Sequence, residues 1–298
     1  MQAISRRRLA LALIFITPAV WAVNALVARR APGIIEPHML AMLRWLLASL
    51  LFAVGNHKEL WLHRHQILAD WMHYLVLGAL GMWVCGAWVY IAARSTSAAN
   101  IGLIYSISPV LIVLGSALWL RERFSLRQSI GVLLALAGVL HVVLKGQLSN
   151  LTGVQFVAGD GWLLAATLAW AMYALLLKKW ASPLGASARL AVISLAGALI
   201  NLPFALWEIS ASAQVFLTSE GFLLALIAAV LPGFGAYLAY SVMQRELGAA
   251  QVSVVLYLAP LYTGLIAWLV LGEPLHGYHA LGLALILPGI FLVTRARS

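Results

Sequence analysis

Long apolar runs alternate with short polar breaks along the whole chain. An α-helix needs about 20 apolar residues to cross the hydrocarbon core of a bilayer, and the runs approach that length. The breaks are rich in charged and turn-forming residues, as at 55–58 (Gly-Asn-His-Lys) and 94–97 (Arg-Ser-Thr-Ser). The pattern predicts an all-α membrane protein with ten spans and no separate soluble domain. The expected spans are 9–28, 38–55, 71–93, 98–120, 126–144, 161–177, 188–206, 221–243, 249–271 and 277–294.

The composition agrees with a protein surrounded by lipid. Hydrophobic residues make up 63% of the chain and charged residues only 9%, whereas soluble domains carry about 25% charged residues. The net charge of +10 comes from short basic clusters between apolar runs, which argues against a nucleic-acid partner. The basic start followed by an apolar run resembles an export signal, but the many later runs favour an uncleaved first span.

The second half of the chain repeats the first. Residues 105–123 read YSISPVLIVLGSALWLRER, and residues 256–274 read LYLAPLYTGLIAWLVLGEP, 151 positions later. An earlier motif, Trp-Ala-Val-Asn at 21–24, is echoed by Trp-Ala-Met-Tyr at 170–173. We therefore expect two repeat units of five spans each, 1–145 and 146–298. The matched positions are Pro109 with Pro260, Glu122 with Glu273, Gly131 with Gly282, and Gly138 with Gly289.

Five spans is an odd number, so the second unit must cross the membrane in the opposite sense to the first. Cytoplasmic loops collect Lys and Arg. With the N-terminus inside, 14 of the 19 Lys and Arg residues fall in cytoplasmic segments and 4 fall outside. Arg29 and Arg30 go against this rule. We expect both termini in the cytoplasm of a bacterium, with the chain in its inner membrane. Inverted repeats are typical of secondary transporters, whose central site opens to each side in turn.

Both copies of the repeat carry a mid-span proline and a turn containing glutamate. The turns read Arg121-Glu122-Arg123 and Leu271-Gly272-Glu273-Pro274, and two glycines follow each. Over nearly its whole length the chain resembles the EamA-type drug/metabolite transporter superfamily. Within it, the chain is most similar to the YddG-type exporters of aromatic amino acids. The resemblance implies that spans one, three, four, six, eight and nine surround a central cavity.

Mid-span aromatic residues are the candidate substrate site. Trp83, Gly86 and Tyr90 follow the i, i+3, i+7 spacing of one helix face. Core packing or contact with lipid is the alternative for each residue. Aromatic walls favour aromatic faces and a bound ammonium group. The residues expected to line the cavity are Trp21, Asn24, Trp83, Tyr90, Tyr105, Ser106, Trp170, Tyr173, Phe234, Tyr237 and Tyr257.

The charged residues suggest fewer roles. Arg44 is the only charge more than two residues inside an expected span; it could meet a substrate carboxylate, extend toward the interface or hold the structure. Glu122 and Glu273 could bind a driving ion, but turn formation explains them better. The three histidines between 57 and 65 lack further ligands, so no metal is expected.

These patterns favour a transporter that exports aromatic and other apolar amino acids or related small metabolites. The alternative is a multidrug exporter of lipophilic cations, which usually needs a buried carboxylate. No nucleophile–base pair indicates an enzyme, and no cofactor is expected. The partners are a small-molecule substrate and the lipid bilayer, and a monomer is compatible with the sequence.

Overall fold

The computed structural model describes residues 2–96, 98–123, 125–147, 149, 152, 157–211, 218–271 and 276–294. Within these ranges the regular structure is entirely helical. The helices are α1 (Gln2–Arg30), α2 (Pro37–Leu62), α3 (Arg64–Ala69), α4 (Trp71–Ala92), α5 (Ala98–Tyr105), α6 (Ser108–Trp119), α7 (Leu126–Val143), α8 (Ala158–Lys179), α9 (Ala186–Ala211), α10 (Ser219–Leu247), α11 (Ala249–Ser253), α12 (Ala259–Leu271) and α13 (Gly277–Thr294).

Eight helices in the described ranges are long and apolar enough to cross a membrane, namely α1, α2, α4, α7, α8, α9, α10 and α13. The two remaining expected spans, 98–120 and 249–271, are each divided into shorter apolar helices. The division falls just before Pro109 in one case, and at a 3₁₀ turn before Pro260 in the other. Proline lacks an N–H group and clashes with the preceding turn, so a new helix starts there.

Several helices extend beyond the expected bounds, and two of these extensions bear on the connections between helices. Helix α9 continues to Ala211, five residues beyond the expected end of span seven. Helix α2 continues past residue 55 to Leu62, but its backbone leaves helical geometry at Asn56. The Asn56 amide donates to Phe52 O at 2.7 Å and to Ser187 Oγ at 2.7 Å, which fixes this kink.

Helices α4 and α10 each contain a π-helical segment, at Ala79–Trp88 and at Ala229–Ala236. The two segments overlap when the chain is shifted by the repeat offset. A π-helix bonds each N–H group five residues back, so its turns are wider than those of an α-helix. Side chains beyond it therefore point in directions that a 3.6-residue period does not predict.

The most extensive helix contacts pair α2 with α9 and α7 with α13. Glycines bring the α7 and α13 backbones together: a Cβ at Gly131 would lie 2.7 Å from Gly289 O, and one at Gly138 would lie 2.9 Å from Gly282 O. Lipid provides no hydrophobic force between helices, so close backbone approach of this kind is a main source of packing energy.

Ion pairs link several connections at one end of the molecule. Arg30 after α1 lies 2.6 Å from Glu220 at the start of α10, and Arg94 after α4 lies 2.7 Å from Glu36 before α2. At the same end, Tyr278 of α13 packs near Gly146, which follows α7. The pairing of Arg30 with Glu220 neutralises one of the two arginines that the charge rule leaves unexplained.

Other connections meet at the opposite end. The Glu59 carboxylate accepts a hydrogen bond from Gly185 N at 2.5 Å, which joins the end of α2 to the connection after α8. The Lys179 ammonium lies 4.0 Å from the centre of the Trp119 ring, which joins the end of α8 to the end of α6. These contacts are cytoplasmic in the predicted topology.

The turn after α6 holds Glu122 at a helix end. Arg121 adopts a φ of +55°, the left-handed conformation that glycine favours, although the side chain is arginine. The Glu122 N–H donates to Ser116 O at 3.0 Å, and a Cβ at Gly248 would lie 3.5 Å from the Glu122 carboxylate. Its expected counterpart, Glu273, lies outside the described residues.

A buried carboxylate closes the N-terminus of α2. Glu208 of α9 accepts hydrogen bonds from His38 N at 2.9 Å and from Met39 N at 3.2 Å, and it lies 2.7 Å from His38 Nδ1. The first N–H groups of a helix have no partner within the helix, so this carboxylate satisfies two of them.

Candidate functional site

Six aromatic side chains lie together where α1, α2, α8 and α10 meet, and we call them the aromatic cluster: Trp21, Trp45, Trp170, Tyr173, Tyr237 and Tyr240. Tyr237 is near the middle of the group. Its ring centre lies 4.8 Å from that of Trp45, 5.6 Å from that of Trp170 and 6.2 Å from those of Trp21 and Tyr173. The cluster therefore contains residues from both halves of the chain.

The rings of the aromatic cluster meet mostly edge to face. Trp21 and Trp170 are 5.6 Å apart and inclined at 86°, and Trp45 and Tyr237 are inclined at 75°. Trp170 and Tyr173, in contrast, stack at 29°. Such pairs contribute about 0.5–1.5 kcal/mol beyond their area burial. A flat aromatic guest can form the same types of contact by entering between the rings.

Several polar groups of the aromatic cluster are buried without a protein partner. Among the described residues, no acceptor reaches Trp45 Nε1, Trp170 Nε1, Tyr173 Oη or Tyr240 Oη. Each buried donor left unpaired costs about 1–3 kcal/mol, so native structures hold few of them. A polar ligand or an internal water at the cluster would supply acceptors for these four groups.

The first π-helix forms one wall of the cluster. The Tyr237 hydroxyl donates to Gly81 O at 2.9 Å, which connects α10 to the π-helix of α4. A Cβ at Gly81 would lie 2.7 Å from the Tyr173 ring, and one at Gly86 would lie 3.0 Å from Trp45 Nε1. Only glycine at these two positions lets the rings come so close to the backbone.

Arg44 of α2 lies beside the aromatic cluster in a hydrogen-bonded triad. Its Nη1 atom donates to Asn24 Oδ1 and to the Tyr90 hydroxyl, both at 3.0 Å, and the Tyr90 hydroxyl donates to Asn24 Oδ1 at 2.7 Å. The guanidinium carbon lies 4.4 Å from the centre of the Trp45 ring, and that ring contacts Tyr237. The triad and the cluster thus form one continuous site.

The Arg44 side chain does not extend toward the membrane surface, because the residue is only 3% exposed. Across the described part of the chain, no carboxylate lies within ion-pair distance of its guanidinium group. Its Nε atom is also buried without an acceptor there. Among the described residues, two neutral oxygens and the face of the Trp45 ring compensate this positive charge.

Most of the sequence-predicted site residues come together here. Trp21, Trp170, Tyr173 and Tyr237 belong to the aromatic cluster. Asn24 and Tyr90 belong to the Arg44 triad. Tyr105 lies at the end of α5 and makes no hydrogen bond to the triad among the described residues.

Four predicted residues have other surroundings. Trp83 stacks on Phe204 of α9 at 5.0 Å and 17°, and Phe234 packs against Phe52 at 4.6 Å. The Ser106 hydroxyl donates to Leu103 O within its own turn, at 2.6 Å. Tyr257 is buried in the core and has no ring contact with the aromatic cluster among the described residues.

The wide π-helical turns explain why Trp83 points elsewhere. The residues of α4 that face the site are Gly81, Gly86 and Tyr90, at spacings of five and four. The predicted stripe of positions 83, 86 and 90 assumed an α-helical period. Trp83 therefore faces α9, while Gly86 and Tyr90 keep the expected direction.

Sequence reasoning missed two members of the cluster, Trp45 and Tyr240. Trp45 follows the intramembrane Arg44, and Tyr240 lies one turn after Tyr237, so both had a local signal. A further expectation concerned metals. Over the described ranges, no three His, Cys, Asp or Glu side chains are grouped closely enough to hold a metal ion.

Comparison with known proteins identifies the family. The chain matches the EamA-like transporter family over residues 8–144 and again over residues 157–295. An uncharacterized transporter of Archaeoglobus fulgidus is 27% identical over 95% of this chain and 96% of its own length. The uncharacterized transporter YvbV of Bacillus subtilis is 26% identical over 98% of this chain and 93% of its own length.

A solved structure, described only as the crystal structure of a protein, has the same fold. It superposes with a TM-score of 0.74 at 23% identity and covers 96% of each chain. The two family matches together span almost the whole sequence, and the apolar helices are those of a multi-pass membrane protein. The chain belongs to the EamA-like transporter family.

Proposed function

We propose that this transporter exports aromatic and other apolar amino acids, or related small metabolites, by alternating access. The observation that carries the proposal is the aromatic cluster with its unpaired buried donors beside Arg44. An amino acid with an aromatic side chain offers a flat apolar face, an anionic acceptor and a cation. The site has a counterpart for each of them.

The three parts of such a substrate would be held by different forces. Its ring would lie among the cluster rings, where edge-to-face and stacked contacts are both available. Its ammonium group would lie over an electron-rich aromatic face, an interaction of about 0.5–2 kcal/mol. Its carboxylate would accept hydrogen bonds from donors that otherwise lack a partner. A mostly apolar pocket with few polar groups suits small amphipathic molecules.

Export of lipophilic cations is the second candidate. A buried carboxylate at the site would favour it, but the buried acids among the described residues lie at helix ends. Glu208 is held by His38 at the start of α2, and Asp160 accepts a hydrogen bond from Val157 N at the start of α8. The charge of Arg44, which lies against the aromatic cluster, would repel a cation. These two features favour the amino-acid substrate.

The proposed architecture is ten crossings in two inverted five-helix units, 1–145 and 146–298. The family matches the chain twice, once in each unit. Gly131 and Gly282 are matched in the repeat, and so are Gly138 and Gly289. Replacing both residues of the contact between Gly131 and Gly289 by their matches gives the contact between Gly282 and Gly138, as is expected across a two-fold axis. Alternating access in transporters commonly uses units related in this way.

The contacts between connections support the proposed sidedness. The segment 98–119 begins after Arg94, which pairs with Glu36 at one end, and finishes at Trp119, which contacts Lys179 at the other. The segment from Gly248 to Tyr278 likewise joins the two ends. Together with the charge rule, this arrangement supports the proposal that both termini are in the cytoplasm of a bacterium and that the protein lies in its inner membrane. One chain supplies the whole site, so a monomer suffices.

Purified protein in liposomes would test the substrate. Vesicles preloaded with unlabelled substrate are given labelled Trp, Phe, Leu, Lys, Glu or a lipophilic cation, and counterflow is measured against empty vesicles. We expect Trp and Phe to exchange fastest, Leu more slowly, and Lys, Glu and the cation least. Counterflow of the cation without Trp would replace the amino-acid proposal with the multidrug alternative.

A further inference from the structure

We propose that Arg44 is the anchor for the substrate carboxylate, and that the site therefore selects molecules combining an aromatic group with a carboxylate. The inference rests on the proposed function and narrows it. It assigns a binding role to a side chain for which the sequence left several roles open. It also identifies the chemical feature that a substrate needs besides an aromatic face.

The first argument is the charge of the site. A charged side chain in the middle of a membrane is costly, and such residues usually pair with each other or mark a substrate path. Arg44 is 3% exposed and has no carboxylate within ion-pair distance among the described residues. Asn24 and Tyr90 offer only neutral oxygens to it. An anionic ligand would neutralise the positive charge of Arg44, which these neutral groups stabilise only in part.

The second argument is the unused hydrogen-bonding capacity of the guanidinium group. Its five N–H groups form a planar fork that matches a carboxylate. Asn24 and Tyr90 both accept from Nη1, on one edge of the fork. The buried Nε atom has no acceptor in the described part of the chain. A Cβ at Gly233 would lie 3.6 Å from Nε. Because Gly233 has no side chain, the backbone of the second π-helix borders the guanidinium group there.

The third argument is the position of the guanidinium group relative to the aromatic cluster. It lies 4.4 Å from the centre of the Trp45 ring, which itself lies 4.8 Å from that of Tyr237. A carboxylate held by Arg44 would place the rest of a small substrate against these rings. The contact with the Trp45 ring and the two hydrogen bonds from Nη1 restrict the guanidinium group, which favours a bidentate contact with a carboxylate.

A purely structural role predicts a different result. If Arg44 only joins α1, α2 and α4 through Asn24 and Tyr90, its loss would weaken the protein and lower the binding of all ligands alike. If it binds the carboxylate, its loss would affect only ligands that have one. Trp and tryptophanamide share the indole ring and the amino group and differ in the carboxylate. Indole-3-propionate keeps the carboxylate and lacks the amine.

The experiment measures competition by these three compounds against counterflow of labelled Trp, together with their effect on thermal unfolding in detergent. In the wild type we expect Trp and indole-3-propionate to bind at least about tenfold more tightly than tryptophanamide. Truncating one partner of a buried charge pair commonly costs a factor of about 30 or more in binding. Arg44→Gln should therefore weaken Trp by about that factor and change tryptophanamide less than about twofold. Because lysine keeps the charge and loses the fork, Arg44→Lys should fall between the two.

Arg189→Gln is the matched control. Arg189 is also an arginine inside a helix, but it donates to two backbone carbonyls, Leu177 O at 2.8 Å and Trp180 O at 2.7 Å. Its loss should lower the unfolding temperature without changing the ratio of Trp to tryptophanamide affinity. That ratio separates a binding role from a structural role.

The outcomes distinguish the inference from the proposed function. Wild-type protein that exchanges Trp but binds tryptophanamide equally well would overturn the inference alone, even if no Arg44 variant folds. Equal losses for both ligands in Arg44→Gln would do the same. Wild-type protein that exchanges no Trp would overturn the proposed substrate. In that case the carboxylate role survives only if indole-3-propionate stabilises the wild type and not Arg44→Gln.

Discussion

Tyr237 provides the sharpest test of the aromatic cluster, because its ring contacts four other rings and its hydroxyl makes one defined hydrogen bond. Tyr237→Ala removes both, and Tyr237→Phe removes only the bond to Gly81 O. One lost aromatic contact with a substrate corresponds to about 0.5–1.5 kcal/mol, or about a 2- to 12-fold change in binding. We expect the apparent KM for Trp to rise by that factor in Tyr237→Ala and by less than about twofold in Tyr237→Phe.

Trp83→Ala is the matched comparison for Tyr237→Ala. Trp83 is also a large aromatic residue on a helix that borders the site, but it stacks on Phe204 at 5.0 Å. Its truncation should lower stability and leave the apparent KM for Trp within about twofold of the wild type.

The assay for these variants is the initial rate of Trp counterflow at several concentrations, in vesicles matched for the amount of inserted protein. A Tyr237→Ala protein with an unchanged KM would refute the placement of substrate in the cluster. An equally large effect of Trp83→Ala would show that the substrate contacts the face of α4 predicted from the sequence, at positions 83, 86 and 90. The face formed by Gly81, Gly86 and Tyr90 would then be the wrong one.

Three further predictions address packing, energy and topology. Gly131→Ala should lower the unfolding temperature in detergent, because its Cβ would lie 2.7 Å from a backbone oxygen and overpacking costs about 1–3 kcal/mol. Gly161→Ala, in open space on α8, should leave the unfolding temperature unchanged or raise it. Equal shifts in the two variants would contradict the close-packing argument. Trp counterflow should need no ion gradient, because every described acidic residue lies at a helix end or in a connection; uphill accumulation driven by a pH gradient and abolished by a protonophore would refute this. In a Cys85→Ala background, a cysteine at Ser149 should react with an impermeant thiol reagent added outside and one at Ser125 should not, and the reverse pattern would invert the topology.

The repeat explains why much of the site could be predicted from sequence. Trp21 and Trp170 open the same four-residue motif in the two units, and both lie in the aromatic cluster. Asn24, at the end of the first motif, meets Arg44. A motif that recurs in both halves points to corresponding places in them, and in transporters built from inverted repeats such places meet near the axis that relates the repeats.

Features set by three-dimensional packing could not be predicted in the same way. The residues Pro232 and Gly233 signal a bend in α10, but the π-helical register of Ala229–Ala236 depends on contacts with other helices. No sequence period indicated that Trp83 would leave the face of Gly86 and Tyr90. The aromatic face of α2 was missed because its tryptophan has no aromatic repeat partner: position 45 corresponds to Ala196 at the repeat offset.

The paired glycines of α7 and α13 join the first half of the chain to the second. Gly131 meets Gly289 and Gly138 meets Gly282, so a glycine-lined surface of one half packs on a glycine-lined surface of the other, as at the interface of a small homodimer. The peptide connection between Lys145 and Val157 raises the effective concentration of the two partners, but the helices themselves hold the interface. If the two proposed units hold together through these helices, two separately synthesised halves should associate in the bilayer, and neither half alone would have all six rings of the aromatic cluster.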